Sequence, residues 1–364
     1  MSTQIFMTGF PGFIASRLII QLVENRSDLT FHLLVQDKFK TLAEAQRDKI
    51  VAEKPFLNEL IHFYSGDITM QDCGLHQTQL EFLKENIQEV WHLAAVYDLT
   101  IDRDRALIIN VDGTKNVLHL IKNFKQLQRH FYISTAYVSG DRTGTIYEEE
   151  LNANQQFRNY YEETKFLAEV EVKKTMGTIP TTIFRPAIVV GDSKNGETQK
   201  FDGPYFVIRV MDKLPKYFAM TMIGSGRNTV NLVPVDFLIS AMSYLSSRPE
   251  SKDKIYHLTD PNPLKQLELI HLFAKLIKKH FLIIPIPAFL MRFLLNIKPI
   301  RNFTGLPKEF VGYFDHPHKY DCSNTIEDLK GSGISVPKFD SYAGNLIHYY
   351  FMKKTEFNSK QALF

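Results

Sequence analysis

Over residues 1–190, short apolar runs alternate with longer amphipathic stretches. Residues 4–8, 31–35, 61–65, 89–93, 130–134 and 181–185 have the length and composition of strands. Between them, residues 13–24, 41–51, 79–86, 103–124 and 158–174 repeat with the period of a helix. Strands covered on both faces read as continuous apolar runs, as Phe31-His32-Leu33-Leu34-Val35 and Val90-Trp91-His92-Leu93-Ala94-Ala95 do. The pattern predicts an α/β fold built on a doubly wound, mostly parallel sheet.

After residue 185 the rhythm changes. Residues 191–202 are polar and carry glycines, so they read as a loop. A helix over 205–213, a strand pair at 221–223 and 229–232, a helix over 235–247 and a strand at 254–258 follow. A helix over 264–280 leads into the apolar run 281–291, which Pro285 and Pro287 interrupt. Residues 1–190 are therefore expected to form a nucleotide-binding domain to which 225–260 return. Residues 191–224 and 261–364 are expected to form a smaller, mostly helical lobe completing the site.

Composition narrows the possibilities. In 364 residues, 43 Lys and Arg balance 40 Asp and Glu, leaving +3, too even to suggest a nucleic-acid partner. Cys73 and Cys322 are too few for a disulfide framework or a metal cluster. That fits a reducing cytoplasm. The first eight residues carry no Lys or Arg, unlike an export signal. The run 281–291 is well short of the ~20 residues a membrane-spanning helix needs. A cytoplasmic location is expected. The run, with Phe293-Leu294-Leu295, reads as a strand and helix packed on the lobe. An acyl-pocket wall or peripheral contact with a membrane, helped by Lys278, Lys279 and Lys298, are the alternatives.

The first chemical signal is Thr8-Gly9-Phe10-Pro11-Gly12-Phe13-Ile14-Ala15, between a strand and a helix. Gly9 permits the sharp turn, Gly12 lets backbone approach a pyrophosphate, and Ala15 allows close packing of helix on strand. The helix N-terminus offers free N–H groups to phosphate. After the second strand, Gln36-Asp37-Lys38-Phe39-Lys40 mixes an acid suited to the ribose diol of NAD with bases suited to the 2′-phosphate of NADP. Lys38 and Lys40 tilt the balance to NADP(H) over NAD(H). Asp67, ending the third strand, is placed to accept from the adenine amine.

The second signal is Tyr161 and Lys165, one helical turn apart on one face. A phenol with a pKa of ~10 serves as a proton carrier near neutrality when an ammonium favours its anion. Tyr160 lacks a Lys four residues on and reads as packing. Thr135, just past the fifth strand, could hold a carbonyl oxygen at the ligand-binding edge of the sheet. Asn110 on the preceding helix could hold a water that relays protons to Lys165.

These motifs together resemble the extended short-chain dehydrogenase/reductase family. They are Thr8-Gly9-x-x-Gly12-x-x-Ala15, Gly66-Asp67-Ile68, His92-Leu93-Ala94-Ala95, Asn110-Val111-x-Gly113-Thr114, Ser134-Thr135-Ala136-Tyr137, Tyr161-x-x-x-Lys165 and Arg185-Pro186, in family order. Val233-Pro234-Val235-Asp236 and Tyr256-His257-Leu258 extend the resemblance to about residue 260. Ser134-Thr135-Ala136-Tyr137-Val138 and Arg185-Pro186-Ala187-Ile188-Val189-Val190-Gly191-Asp192-Ser193 are most similar to the thioester reductase and fatty acyl-CoA reductase branch.

The resemblance implies a Rossmann-type fold and NAD(P)H-dependent reduction of a carbonyl, foremost an acyl-CoA or acyl-carrier-protein thioester. It implies Thr135, Tyr161 and Lys165 as catalytic residues, with Asn110 as the fourth member. It further implies cofactor contacts from Thr8, Gly9, Phe10, Pro11, Gly12, Phe13, Ile14, Gln36, Lys38, Asp67, Ile68, Leu93, Ala94, Ala95, Tyr161, Lys165, Arg185, Pro186 and Ile188. The branch usually carries Arg where this chain has Gln36, which leaves Lys38 as the substitute. No helical male-sterility or carrier domain is evident after residue 260, so the expectation is a stand-alone reductase. A nucleotide-sugar epimerase or dehydratase, an alcohol or ketone dehydrogenase, and a non-catalytic NADP-binding regulator share parts of this pattern.

Overall fold

A computed structural model describes residues 2–98, 101–306, 308–313 and 317–360. The outermost positions of the two expected regions, Met1 and residues 361–364, lie outside the described residues.

Chain order runs β1 (Thr3–Thr8), α1 (Phe13–Asn25), β2 (Leu29–Val35), α2 (Lys40–Glu53), β3 (Ile61–Ser65), α3 (Gln77–Asn86) and β4 (Glu89–His92). Then come α4 (Arg103–Ala106), a π-helical turn (Leu107–Asp112), α5 (Gly113–Ile121), β5 (Arg129–Ile133), β6 (Gly144–Ile146), α6 (Tyr160–Thr175) and β7 (Thr181–Pro186). Seven parallel strands make the main sheet; its order is β11-β7-β5-β4-β1-β2-β3, with β11 at Ile255–Leu258. Strand order reverses on either side of β1, so the carboxyl ends of β1 and β4 open into a crevice.

The strands are apolar because both faces are covered. Every residue of β2 is buried. Trp91 stacks at 4.2 Å on Phe131 of the neighbouring strand. One core cluster lies under α1 and α8 (Val235–Ser246), and a second lies under α3, α5 and α6.

The remaining elements are β8 (Ile188–Val190), α7 (Tyr205–Lys213), β9 (Tyr217–Ile223), β10 (Leu232–Pro234), α9 (Gln266–Leu276), β12 (His280–Ile286), α10 (Ala288–Leu294), α11 (Lys298–Thr304), β13 (His318–Tyr320), α12 (Ser323–Asp328) and α13 (Phe339–Lys360). The expected pairing of 221–223 with 229–232 does not form. Instead β9 pairs with β12, from Tyr217↔His280 to Ile223↔Ile286, and β10 pairs with β8. Nothing local specifies a partner about sixty residues away. Pro285 hides β12 in the sequence, yet it is tolerated because β9 is the strand's one partner in that sheet. The helix expected over 103–124 is likewise divided, by the π-helical turn that contains Asn110.

Candidate active site

The carboxyl ends of β1, β4, β5 and β7, the first turn of α1 and the start of α6 bound a cavity of about 410 Å³. Thr8 ends β1 fully buried; its hydroxyl pairs with His92 Nδ1 at 2.7 Å and accepts from the Ala94 N–H at 3.2 Å. His92 Nε2 lies 3.1 Å from Thr114 Oγ1, and burial lowers the imidazole's affinity for a proton. A neutral His92 thus staples the end of β1 to the exit of β4.

Gly9 turns there with φ +93°, and a Cβ on it would lie 2.8 Å from Ala94 N and Leu93 C. A Cβ on Gly12 would stand 2.6 Å from Gly9 O. Helix α1 starts with no side-chain cap and no acid in its first turn. This bare, close-approached N-terminus fits a pyrophosphate, so the residues present suit a dinucleotide.

At the far edge of the sheet, the Gln36 amide donates to Asp67 Oδ2 at 2.7 Å. Asp67 Oδ1 accepts from Thr69 N and Oγ1, both at 2.9 Å. Ser65 Oγ donates to Asp37, and the Lys38 ammonium stands 5.0 Å from the Phe39 ring centroid.

On the other side of the cavity, α6 is capped by Asn159, whose Oδ1 accepts from Glu162 N at 2.9 Å. That start carries Tyr161 and Lys165 to the end of β5, where Thr135 caps a short 3-10 turn. Thr135 Oγ1 donates to Pro186 O at 3.5 Å and lies near the Tyr161 hydroxyl, where it offsets part of the rise that burial imposes on the phenol's pKa. Tyr97 meets the Tyr161 ring edge-on at 5.0 Å. The Lys165 ammonium donates to Ile133 O at 2.7 Å and Tyr132 OH at 3.0 Å. Burial lowers its pKa to about 7, against the opposing pull of Glu169. The site thus holds a protonated phenol beside a hydroxyl donor, with a lysine poised near neutrality one turn away.

Of the expected residues, Gly9, Gly12, Phe13, Ile14, Leu93, Ala94, Ala95, Thr135, Tyr161, Lys165, Pro186 and Ile188 line this cavity. Thr8, Phe10, Pro11, Gln36, Lys38, Asp67 and Ile68 do not. Asn110 does not line the cavity. Its Oδ1 accepts from Val96 N at 2.8 Å and its amide donates to Thr164 Oγ1 at 2.9 Å, so it ties the loop after β4 to α6. Arg185 also stays out of the cavity: the fully buried guanidinium donates to Glu169 and to Glu148 O at 3.0 Å. A charge that deep is held by its carboxylate.

The cavity has walls that the sequence did not single out: Tyr97, residues 198–200, Asp202 and Gly203, and Phe310 with Tyr313. The 191–204 loop is anchored because Asp236 accepts from Ser193 N at 2.8 Å and Ser193 Oγ at 2.6 Å, while Asn345 donates to Ser193 O at 2.7 Å. The Val-Pro-Val-Asp motif was therefore a usable signal for that wall. Phe310 and Tyr313 lie in a stretch without any motif.

Comparison with known proteins agrees with this geometry. The family model described as male sterility protein, an NAD-binding family, matches residues 7–242. A fatty acyl-CoA reductase of Drosophila melanogaster is 26% identical over 272 residues, which cover 65% of this chain and 53% of the relative. An alcohol-forming fatty acyl-CoA reductase of Simmondsia chinensis is 26% identical over 240 residues, 51% of this chain and 48% of the relative. The chain spans about half the length of these curated relatives.

Among solved structures, the terminal R domain of the myxalamid PKS-NRPS pathway superposes with a TM-score of 0.81 at 23% identity, covering 98% of this chain and 92% of that one. A UDP-glucuronic acid 4-epimerase of Bacillus cereus reaches 0.67 at 20% identity, covering 98% of each chain. Both likenesses establish the fold. With the family model matched over more than half its length, the chain belongs to the male sterility NAD-binding branch of the extended short-chain dehydrogenase/reductase family.

Proposed function

We propose that this chain reduces the carbonyl of an acyl thioester, on coenzyme A or on an acyl-carrier protein, with NADPH as reductant. One observation carries the reading: the uncapped glycine turn and the Thr135–Tyr161 hydroxyl pair open into the same cavity. Aromatic walls from Tyr97, Tyr137, Phe310 and Tyr313 suit an acyl substrate, and the curated relatives are named for fatty acyl-CoA reduction.

In this reading the reduced nicotinamide, when bound, supplies a hydride to the carbonyl carbon. Thr135 and Tyr161 hydrogen-bond the carbonyl oxygen as charge builds on it, and Tyr161 gives up its proton there. Lys165 favours the resulting phenolate electrostatically. The thiohemiacetal then loses its C–S bond, its hydroxyl proton passing to the departing sulfur, to give aldehyde and thiol, and a second NADPH would reduce the aldehyde to the alcohol. The test is to follow NADPH and NADH consumption against acyl-CoAs, aldehydes and UDP-sugars. Consumption with acyl-CoA supports the reading; turnover of a UDP-sugar without net consumption of reduced cofactor overturns it.

Cofactor preference rests on Lys38. With Gln36 engaged by Asp67, Lys38 is the base at the end of β2 that stands ready for a 2′-phosphate. Lys38→Glu is expected to raise KM for NADPH roughly tenfold or more, with little change for NADH. Equal changes for both cofactors would remove Lys38 from that role.

A pH dependence follows from Lys165. Below about 7 the buried amine is protonated and attracts an anionic cofactor; above it the charge is lost. The kcat/KM for NADPH is expected to fall as pH rises through about 7, while the phenol, held up by burial, stays protonated. Binding of NADPH to Lys165→Met should lose this limb, as titration by cofactor fluorescence will report.

A further inference from the structure

We infer that the outer face of the β9–β12 sheet, together with helix α10 next in the chain, docks onto an anionic lipid surface. This inference does not depend on the proposed reaction. Alternate positions of β12 point outward, with Leu282 70% exposed and Ile284 beside it in the alternation. On the paired strand, Tyr217 faces solvent, and α10 presents Phe289 and Phe293, 72% and 64% exposed. These side chains are not left over from poor packing. The same elements bury their opposite sides: Met220 and Met222 of β9 join the lobe core, and Met291 of α10 packs with Phe310, Val311 and Tyr313. A face of this kind on a well-packed element marks an interaction surface.

Charge identifies the occupant. From residue 269 to 308 the chain has no Asp or Glu, and it has seven Lys or Arg, among them Arg292 within α10 and Lys298 and Arg301 in α11, the helix that follows it. Over the whole chain the excess is only +3, so the basicity is local. Behind this face, on the side of β12 that carries Phe281 and Ile283, a cavity of about 510 Å³ against α9 is walled by Lys216, Lys275, Lys278 and His280 and has no carboxylate. Lys279 is already spent on the carbonyls of Met211, Asp212 and Leu214 at the end of α7.

Apolar side chains bordered by bases match the acyl–headgroup boundary of an anionic leaflet. A second copy of the chain matches less well, because a twofold contact would set this basic face against itself. Among the described residues no helix is long and apolar enough to cross a membrane. The contact is therefore that of a face resting on the surface. Through Met291 it sits directly behind Phe310 and Tyr313, two walls of the catalytic cavity.

The test is flotation of the full chain with phosphatidylcholine vesicles, with and without phosphatidylserine. Binding is expected to the phosphatidylserine vesicles, and to fall roughly tenfold in both Phe289→Asp/Phe293→Asp and Lys298→Glu/Arg301→Glu. Turnover of a short, water-soluble acyl thioester should be unchanged in both variants. Equal binding to both vesicle types, no binding to either, or a wild-type dimer dispersed by Phe289→Asp/Phe293→Asp would each overturn the inference.

Discussion

Tyr161→Phe is expected to lower thioester reduction by roughly 10²- to 10⁴-fold while leaving the affinity for NADPH nearly unchanged. The substitution keeps the ring that Tyr97 meets edge-on and removes only the hydroxyl near Thr135. Packing is thereby preserved and the proton source is lost, so the deficit should appear in kcat. Thr135→Val should cost less, because Tyr161 still provides one hydrogen bond and the proton. Steady-state rates with acyl-CoA, paired with NADPH fluorescence titration, separate the two quantities. Undiminished turnover in Tyr161→Phe would remove the phenol from the mechanism.

Glu169→Ala is expected to cost about 3–5 kcal/mol of stability, the range for breaking a buried ion pair from one side. Glu169 and Arg185 have side-chain exposures of 0% and 1%. The carboxylate accepts from Arg185 Nε at 2.9 Å and from Ser134 Oγ. Without it the guanidinium keeps only Glu148 O at 3.0 Å and His257 Nε2 at 3.1 Å, neither of which bears a negative charge. Lys165 would also lose the carboxylate that supports its charge, so its pKa would drop from about 7. Urea unfolding of Glu169→Ala and Glu169→Gln measures this, and Gln should cost less because it can still hydrogen-bond. By contrast, breaking the solvent-screened surface pair of Arg248 and Glu250, 45% and 42% exposed, should barely move the urea midpoint. A shift that small at Glu169 would mean that water or rearrangement satisfies Arg185.

The residues whose role is set by nearby sequence were the legible ones. A glycine turn between a strand and a helix, or two side chains four apart on α6, has its geometry fixed within a few residues. Gly9, Gly12, Tyr161 and Lys165 therefore fall where spacing puts them. Arg185 and Asn110 lie within equally recognisable motifs, but what they touch is decided by distant chain. Arg185 meets Glu169 of α6, and Asn110 meets Thr164 of the same helix. The main sheet was readable because continuous apolar strands alternate with amphipathic helices. The β9–β12 pair was not, since its register depends on long-range packing and one of its strands contains a proline. Phe310 and Tyr313 reach the cavity through the tertiary packing of α10, which no local pattern encodes.

The central claim is that one cavity brings a dinucleotide and an acyl carbonyl to the Thr135–Tyr161 pair. The most direct test is a single-turnover reaction with NADPH deuterated at C4 of the nicotinamide and a fatty acyl-CoA, analysed by mass spectrometry of the product. Deuterium at the former carbonyl carbon of the aldehyde or alcohol, and its absence with Tyr161→Phe, is the predicted result. Bound NADPH that stays reduced in the presence of every acyl thioester offered would contradict the account.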